Sequence, residues 1–125
     1  MQRRDQDLLE AVTERHRREN AAPRLRTEIE RLKSLRLSFE DIRAEGRTLA
    51  RSYAKPIVVA TAPAYFEICC MEPRCDGRHD LTQPVLRALQ QSEVFFAGQS
   101  SCDGMIGNMA CDHTLAYACE ATYST

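Results

Sequence analysis

Cys70-Met71-Glu72-Pro73-Arg74-Cys75 is a C-x4-C pair with Asp76-Gly77 directly behind it, and Cys102 with Cys111 forms a second, C-x8-C pair enclosing Gly104 and Gly107. All six cysteines of the 125-residue chain follow residue 68. A tetrahedral zinc site needs four thiolates about 2.3 Å from the metal, hence two tightly curved turns carrying two ligands each. Glycine and proline permit such curvature, and both turns contain them: Pro73 and Gly77 in the first, Gly104 and Gly107 in the second. The expectation is one structural Zn²⁺ on Cys70, Cys75, Cys102 and Cys111 in a small antiparallel, zinc-ribbon-like β module.

The other candidate ligands rank lower. Cys69 competes with Cys70, but Cys70 begins the turn. His79 and His113 lie beside the turns, where a lone histidine is more often solvated or capping than a ligand. Cys119 alternates with Leu115, Tyr117, Ala121 and Tyr123, the pattern of a small buried residue on a strand. Six cysteines also permit 15 disulfide pairings, and the vicinal Cys69–Cys70 pair permits a redox switch. Metal, disulfides and free structural thiols therefore all remain open at this point.

Working outward, the module is expected over residues 53–125. Residues 57–60, 64–70, 94–97 and 114–121 read as strands, and Pro84-Val85-Leu86-Arg87-Ala88-Leu89 as a short inserted helix capped by Thr82 or Asp80. Residues 1–52 read as a charged, coiled-coil-like helical arm. A first helix covers 4–19, with Glu14 and Arg18 at i,i+4. Beyond Pro23, Leu25, Ile29, Leu32, Leu35, Phe39 and Ile42 recur at three- and four-residue intervals, which predicts one long amphipathic helix stopping at Gly46, or an αα-hairpin with the first segment. Such a stripe needs a cover: a partner protein, a second copy of the chain, or the chain's own β module. No internal repeat or low-complexity tract appears. The fold class is thus α+β, arm followed by module.

Composition narrows the function. The chain is 43% apolar and 28% charged, and so globular. It has no tryptophan, so the core is small and gains from a metal staple. The arm carries 13 Arg and Lys against 10 Asp and Glu, the module 4 against 8. That imbalance is too weak for a typical nucleic-acid domain. No stretch approaches the roughly 20 apolar residues of a membrane span, and no secretory leader is evident. A cytoplasmic setting with reduced thiols is therefore expected. A four-thiolate site leaves no open coordination position, and phosphate-loop, paired-carboxylate and hydrolase motifs are absent, so no enzyme is expected.

The leading expectation is a non-catalytic protein-interaction or assembly module, with the stripe from Leu25 to Ile42 as its partner or oligomer face. A regulator touching nucleic acid through the arm's arginines is the alternative, as is a disulfide-stabilised secreted or envelope protein. A helical arm ahead of a zinc module resembles, in layout alone, the coiled-coil/zinc-finger regulators that enter an RNA polymerase channel. Their acidic hairpin tip and C-x-x-C pairs have no counterpart here.

Overall fold

Leu35, Leu37, Phe39 and Asp41 turn to one side of an extended chain, while Arg36, Ser38 and Glu40 turn to the other. In the computed structural model, which describes residues 3–42, 48–72 and 74–124, this stretch is the central strand β1 (Leu32–Ile42). It replaces the expected long helix, of which only the single turn α2 (Leu25–Glu28) forms. The residue that separates the two readings is Leu37. On a helix it falls outside the stripe of Leu32, Leu35 and Phe39. On a strand it lies in line with Leu35 and Phe39, and it is only 1% exposed. Gly46, the expected helix stop, lies outside the described residues, as does Pro73.

Strand β1 has neighbours on both sides. It pairs antiparallel with β2 (Thr48–Ile57) and with β8 (Thr114–Tyr123), and β8 pairs with β5 (Phe95–Ser101), giving the order β2-β1-β8-β5. Register runs Leu35↔Ala121, Leu37↔Cys119 and Phe39↔Tyr117, so the inward sets of the two central strands coincide. Pro56 cannot donate to a ladder and accordingly occupies an edge strand, β2. The sheet joins residues 32–42 to residues 114–123, crossing the arm–module boundary expected near residue 52. The arm and the module share one core.

That core lies on one face of the sheet. Leu25, Ile29, Leu35, Leu37, Phe39, Leu115, Cys119 and Ala121 pack with Ala64, Phe66, Ile68 and Leu81, and with Val85 and Leu89 of the helix α3 (Thr82–Gln90). The Asp80 carboxylate accepts from the Thr82 backbone N–H at 3.1 Å, and the Thr82 hydroxyl accepts from the Phe66 N–H at 2.9 Å, tying the start of α3 to the segment before it. Of the six stripe residues, Leu25, Ile29, Leu32, Leu35 and Phe39 are buried in the chain's own interior and Ile42 is half-buried. As a correction to the expected partner face, these side chains are core. The β module itself covers the stripe.

The first helix, α1 (Arg3–Ala21), does form, and Glu14 pairs with Arg18 at 3.1 Å. Leu9 and Val12 of α1 stay 58% and 52% exposed. Of the expected strand at 57–60 only Ile57 is in a strand, as the end of β2, and the chain then turns, with the Thr61 and Ala62 N–H groups donating to the Val58 carbonyl. The expected strand at 64–70 shortens to β3 (Glu67–Cys69), which pairs with β4 (Arg78–Asp80). A last two-stranded element, β6 (Met105–Ile106) with β7 (Met109–Ala110), turns through Gly107, whose φ of +62° suits glycine. No helix among the described residues is long and apolar enough to cross a membrane.

Candidate metal centre

Two loops meet at one end of the sheet. The first, residues 70–77, closes the β3–β4 hairpin. The second, residues 102–113, links β5 to β8 and contains the β6–β7 hairpin. They are joined by a backbone bridge between Cys75 and Ile106, and by the Met105 N–H donating to the Asp76 carboxylate at 2.9 Å.

Each loop carries the triplet Cys-Asp-Gly, at Cys75-Asp76-Gly77 and Cys102-Asp103-Gly104. The local hydrogen bonding of the two is the same. The Gly77 N–H points at the Cys75 sulfur at 3.2 Å, and the Gly104 N–H at the Cys102 sulfur at 3.4 Å. The glycine carbonyl then accepts from the loop's other cysteine: Gly77 from the Cys70 N–H at 3.0 Å, Gly104 from the Cys111 N–H at 2.9 Å. The Glu72 backbone N–H also hydrogen-bonds the Cys70 sulfur. Backbone N–H groups aimed at sulfur favour the thiolate, the form that binds metal.

The loops approach so closely that glycine is required at both triplets. A Cβ on Gly77 would overlap the Cys102 sulfur, and one on Gly104 would overlap the Gly77 backbone. This contact brings the four sulfurs together. Those of Cys70, Cys75, Cys102 and Cys111 all lie within 4.8 Å of one another, with Cys75–Cys102 at 3.5 Å and Cys70–Cys111 at 3.8 Å. Thiolates at about 2.3 Å from a tetrahedral metal stand about 3.8 Å apart, whereas a disulfide holds its sulfurs at about 2.0 Å. The cluster therefore has the size of a metal-thiolate site, and all six cysteines are free thiols. As bare thiols, two of the four are hard to ionise. Burial raises Cys70 well above the usual range and pushes Cys102 up to about 11, against the opposing Gly104 N–H. A bound cation reverses that balance, since coordination deprotonates a thiol outright.

Behind the loops is a buried polar row that the sequence reading missed. His113 donates from Nδ1 to Asp41 on β1, at 2.8 and 3.0 Å to the two carboxylate oxygens, and its Nε2 lies 3.8 Å from Glu72. The His113 carbonyl also accepts from the Cys102 N–H at 3.0 Å. One imidazole thus connects the central strand to both cysteine loops. His79 is likewise buried, with Nδ1 2.9 Å from the Ser100 hydroxyl, linking β4 to β5; burial lowers its pKa.

Neither histidine joins the sulfur cluster. Cys69 is exposed and outside it, 3.8 Å from Arg15 Nη1, and Cys119 is fully buried in the core. The repeated Cys-Asp-Gly was the sequence signal that selects Cys75 and Cys102 and pairs the loops. Asp41 carried no such signal, because it occupies an inward position on a strand the periodicity assigned to a helix. Comparison with known protein families, with curated proteins and with solved structures finds no match to this chain.

Proposed function

We propose that this chain is a non-catalytic protein-interaction module in which Cys70, Cys75, Cys102 and Cys111 hold one structural Zn²⁺ in a ribbon-like pair of loops. The observation that carries this reading is the cluster of four sulfurs at metal-thiolate spacing, delivered by two Cys-Asp-Gly turns with matching N–H···S bonds. Four soft thiolates select zinc, or iron as the redox-active competitor, over hard cations. Four protein ligands also fill a tetrahedral shell, leaving no position for substrate, which supports structure over catalysis. A reducing compartment such as the cytoplasm keeps the thiols available.

With the Leu25–Ile42 stripe buried, partner contact moves to the surface of the loops. Met105 and Met109 on the β6–β7 hairpin are 42% and 74% exposed, and the metal fixes the loop that presents them. Methionine is a common element of adaptable binding surfaces. Native mass spectrometry of protein purified under reducing conditions, with and without chelator, tests the zinc assignment. One zinc per chain, with chelation exposing four further alkylatable thiols, is the expected result. A chain that carries no metal, ignores chelator and keeps its fold would sink the reading.

A further inference from the structure

The main sheet has two edges, and they are not alike. Strand β2 at one end carries Lys55 and Pro56, and proline offers no N–H to a further strand. Lysine and proline are residues with which sheet edges resist added strands. Strand β5 at the other end reads Phe95-Phe96-Ala97-Gly98-Gln99-Ser100-Ser101 and has neither. It pairs with β8 over all seven residues without a register shift, so no bulge turns it away. The hydrogen bonds at its ends show which backbone groups are left over. The Ala121 N–H donates to the Val94 carbonyl at 2.8 Å, and the Cys102 N–H to the His113 carbonyl at 3.0 Å. Residues with even numbers from 94 to 102 thus turn their backbone groups to β8, and those with odd numbers turn theirs outward. The N–H and C=O groups of Phe95, Ala97, Gln99 and Ser101 line the free edge, and no further strand or loop backbone pairs with them among the described residues.

Charge and symmetry say what fits this edge. No charged residue occurs from Val94 to Ser101, and Val94 and Phe95 are 63% and 64% exposed. The nearest charge on β8, Glu120, stands beside Phe95 and has Arg36 of β1 on its other side. An uncharged strand meets its own copy without like charges facing across the pair. Antiparallel pairing about a twofold axis at Gly98 sets Ala97 against Gln99 and Phe95 against Ser101 of the second copy. That register uses all four outward N–H and C=O pairs of each chain. It also closes. The eight strands form one sheet whose two ends are the β2 edges with their Lys55 and Pro56, so growth stops at two chains. Glu93 of one copy and Asp103 of the other come to the ends of the pairing as like charges, so added salt strengthens it.

We propose that β5 is a self-association edge, through which two copies of this chain join into one eight-stranded antiparallel sheet. The pairing covers the exposed Phe95 and supplies each outward backbone group with a partner. It does not rest on the zinc reading, because no cysteine takes part in it.

Sedimentation velocity of the full-length protein under reducing conditions, from about 10 μM to about 1 mM, tests the association. A reversible dimer with a dissociation constant on the order of 100 μM is expected, since one strand edge is small against the roughly 800 Å² per partner of a stable interface. Amide exchange supplies the signature of the pairing. In the dimer, exchange should slow at Phe95, Ala97, Gln99 and Ser101, while Phe96, Gly98 and Ser100, already bonded to β8, change little. Ala97→Pro removes an outward N–H, leaves the β8 ladder intact, and should weaken dimerisation more than about tenfold. Ala118→Lys lies beside Ala97 on the same face, one strand in from the edge, and should shift it less than about twofold. A chain that stays monomeric to about 1 mM, leaving the edge to some other strand or to water, overturns the proposal. So does a dimer whose odd-numbered β5 amides exchange as in the monomer, or one that Ala118→Lys weakens as much as Ala97→Pro.

Discussion

The two cysteine loops use the same turn on unequal foundations. Loop 70–77 closes a hairpin whose strands, β3 and β4, have three residues each, held by the Glu67–Arg78 ion pair and the His79–Ser100 bond. Loop 102–113 departs from the seven-residue β5 and returns into the ten-residue β8, both parts of the main sheet. A Cys-Asp-Gly turn sets the direction of the sulfur and its N–H bonds in either place. What fixes that turn in space is the length and burial of the strands it ends. The second loop is therefore positioned by the sheet, while the first is held to it by the Cys75–Ile106 bridge and the Met105–Asp76 bond and, on the proposed zinc reading, by the metal.

Removing the metal should produce the largest effect and should divide the loops. With chelator, or with Cys75→Ser, stoichiometric zinc is lost. Amide exchange is then expected to rise first and furthest at residues 70–80, less at 102–113, and least in β1 and β8. Apparent binding energies of about 10–16 kcal/mol make small zinc peptides collapse entirely without metal. Here the buried pairs Leu37–Cys119 and Phe39–Tyr117 support the sheet independently. Simultaneous melting of both loops with the sheet would break the comparison.

Next come the two glycines at the loop contact. Gly104→Ala drives a methyl into the Gly77 backbone, whereas Gly77→Ala meets a sulfur and then the Gly104 backbone. Overpacking costs about 1–3 kcal/mol, with Gly104→Ala the worse because backbone yields less readily. Denaturation midpoints of zinc-loaded protein test the order, and equal costs would show that the loops give way symmetrically.

Asp41→Ala removes the partner of the His113 Nδ1–H in a buried site, for an expected loss of about 1–3 kcal/mol. Exchange should quicken in both loops together, because His113 reaches both; a change confined to one loop would limit its anchoring role to that loop.

The smallest effect is the pH response of His79. Its lowered pKa means that the unfolded chain binds a proton more readily than the folded one. The stability it contributes is therefore present above the unfolded value of about 6.5 and is lost as pH falls below it. In His79→Asn, which keeps an acceptor for Ser100, the decline in midpoint between about pH 7 and pH 5.5 should be shallower than in the parent. An identical slope in the two proteins would show that His79 contributes nothing to the acid response.

Much of the site was legible because its chemistry is local. Cysteines beside glycine and proline report a tight turn wherever that turn sits, and the last strand carried its own alternation; the short helix at 82–90 formed as expected, but its N-cap is Leu81, which makes no side-chain cap bond, rather than Asp80 or Thr82. The stretch 32–42 was not legible from three- and four-residue spacing. Leu32, Leu35, Phe39 and Ile42 satisfy a helix period, while Leu35, Leu37 and Phe39 satisfy a strand period, and short apolar runs often fit both. The absence of a tryptophan in the interior and the charge of the arm gave no help in choosing.

From sequence alone, the chain determines its two cysteine turns, which residues can ligate a metal, and that residues 4–19 are helical, since these depend on nearest neighbours and backbone sterics. Only the tertiary structure decided the state of residues 32–42. Strand β8, some 80 residues further along, supplies the hydrogen bonds and the facing inward row that make an extended conformation lower in free energy than a helix with one exposed stripe. That same long-range pairing brings Asp41 to His113. Four cysteines spread over 42 residues become a single site because the β3–β4 hairpin meets the loop between β5 and β8 through the Cys75–Ile106 bridge.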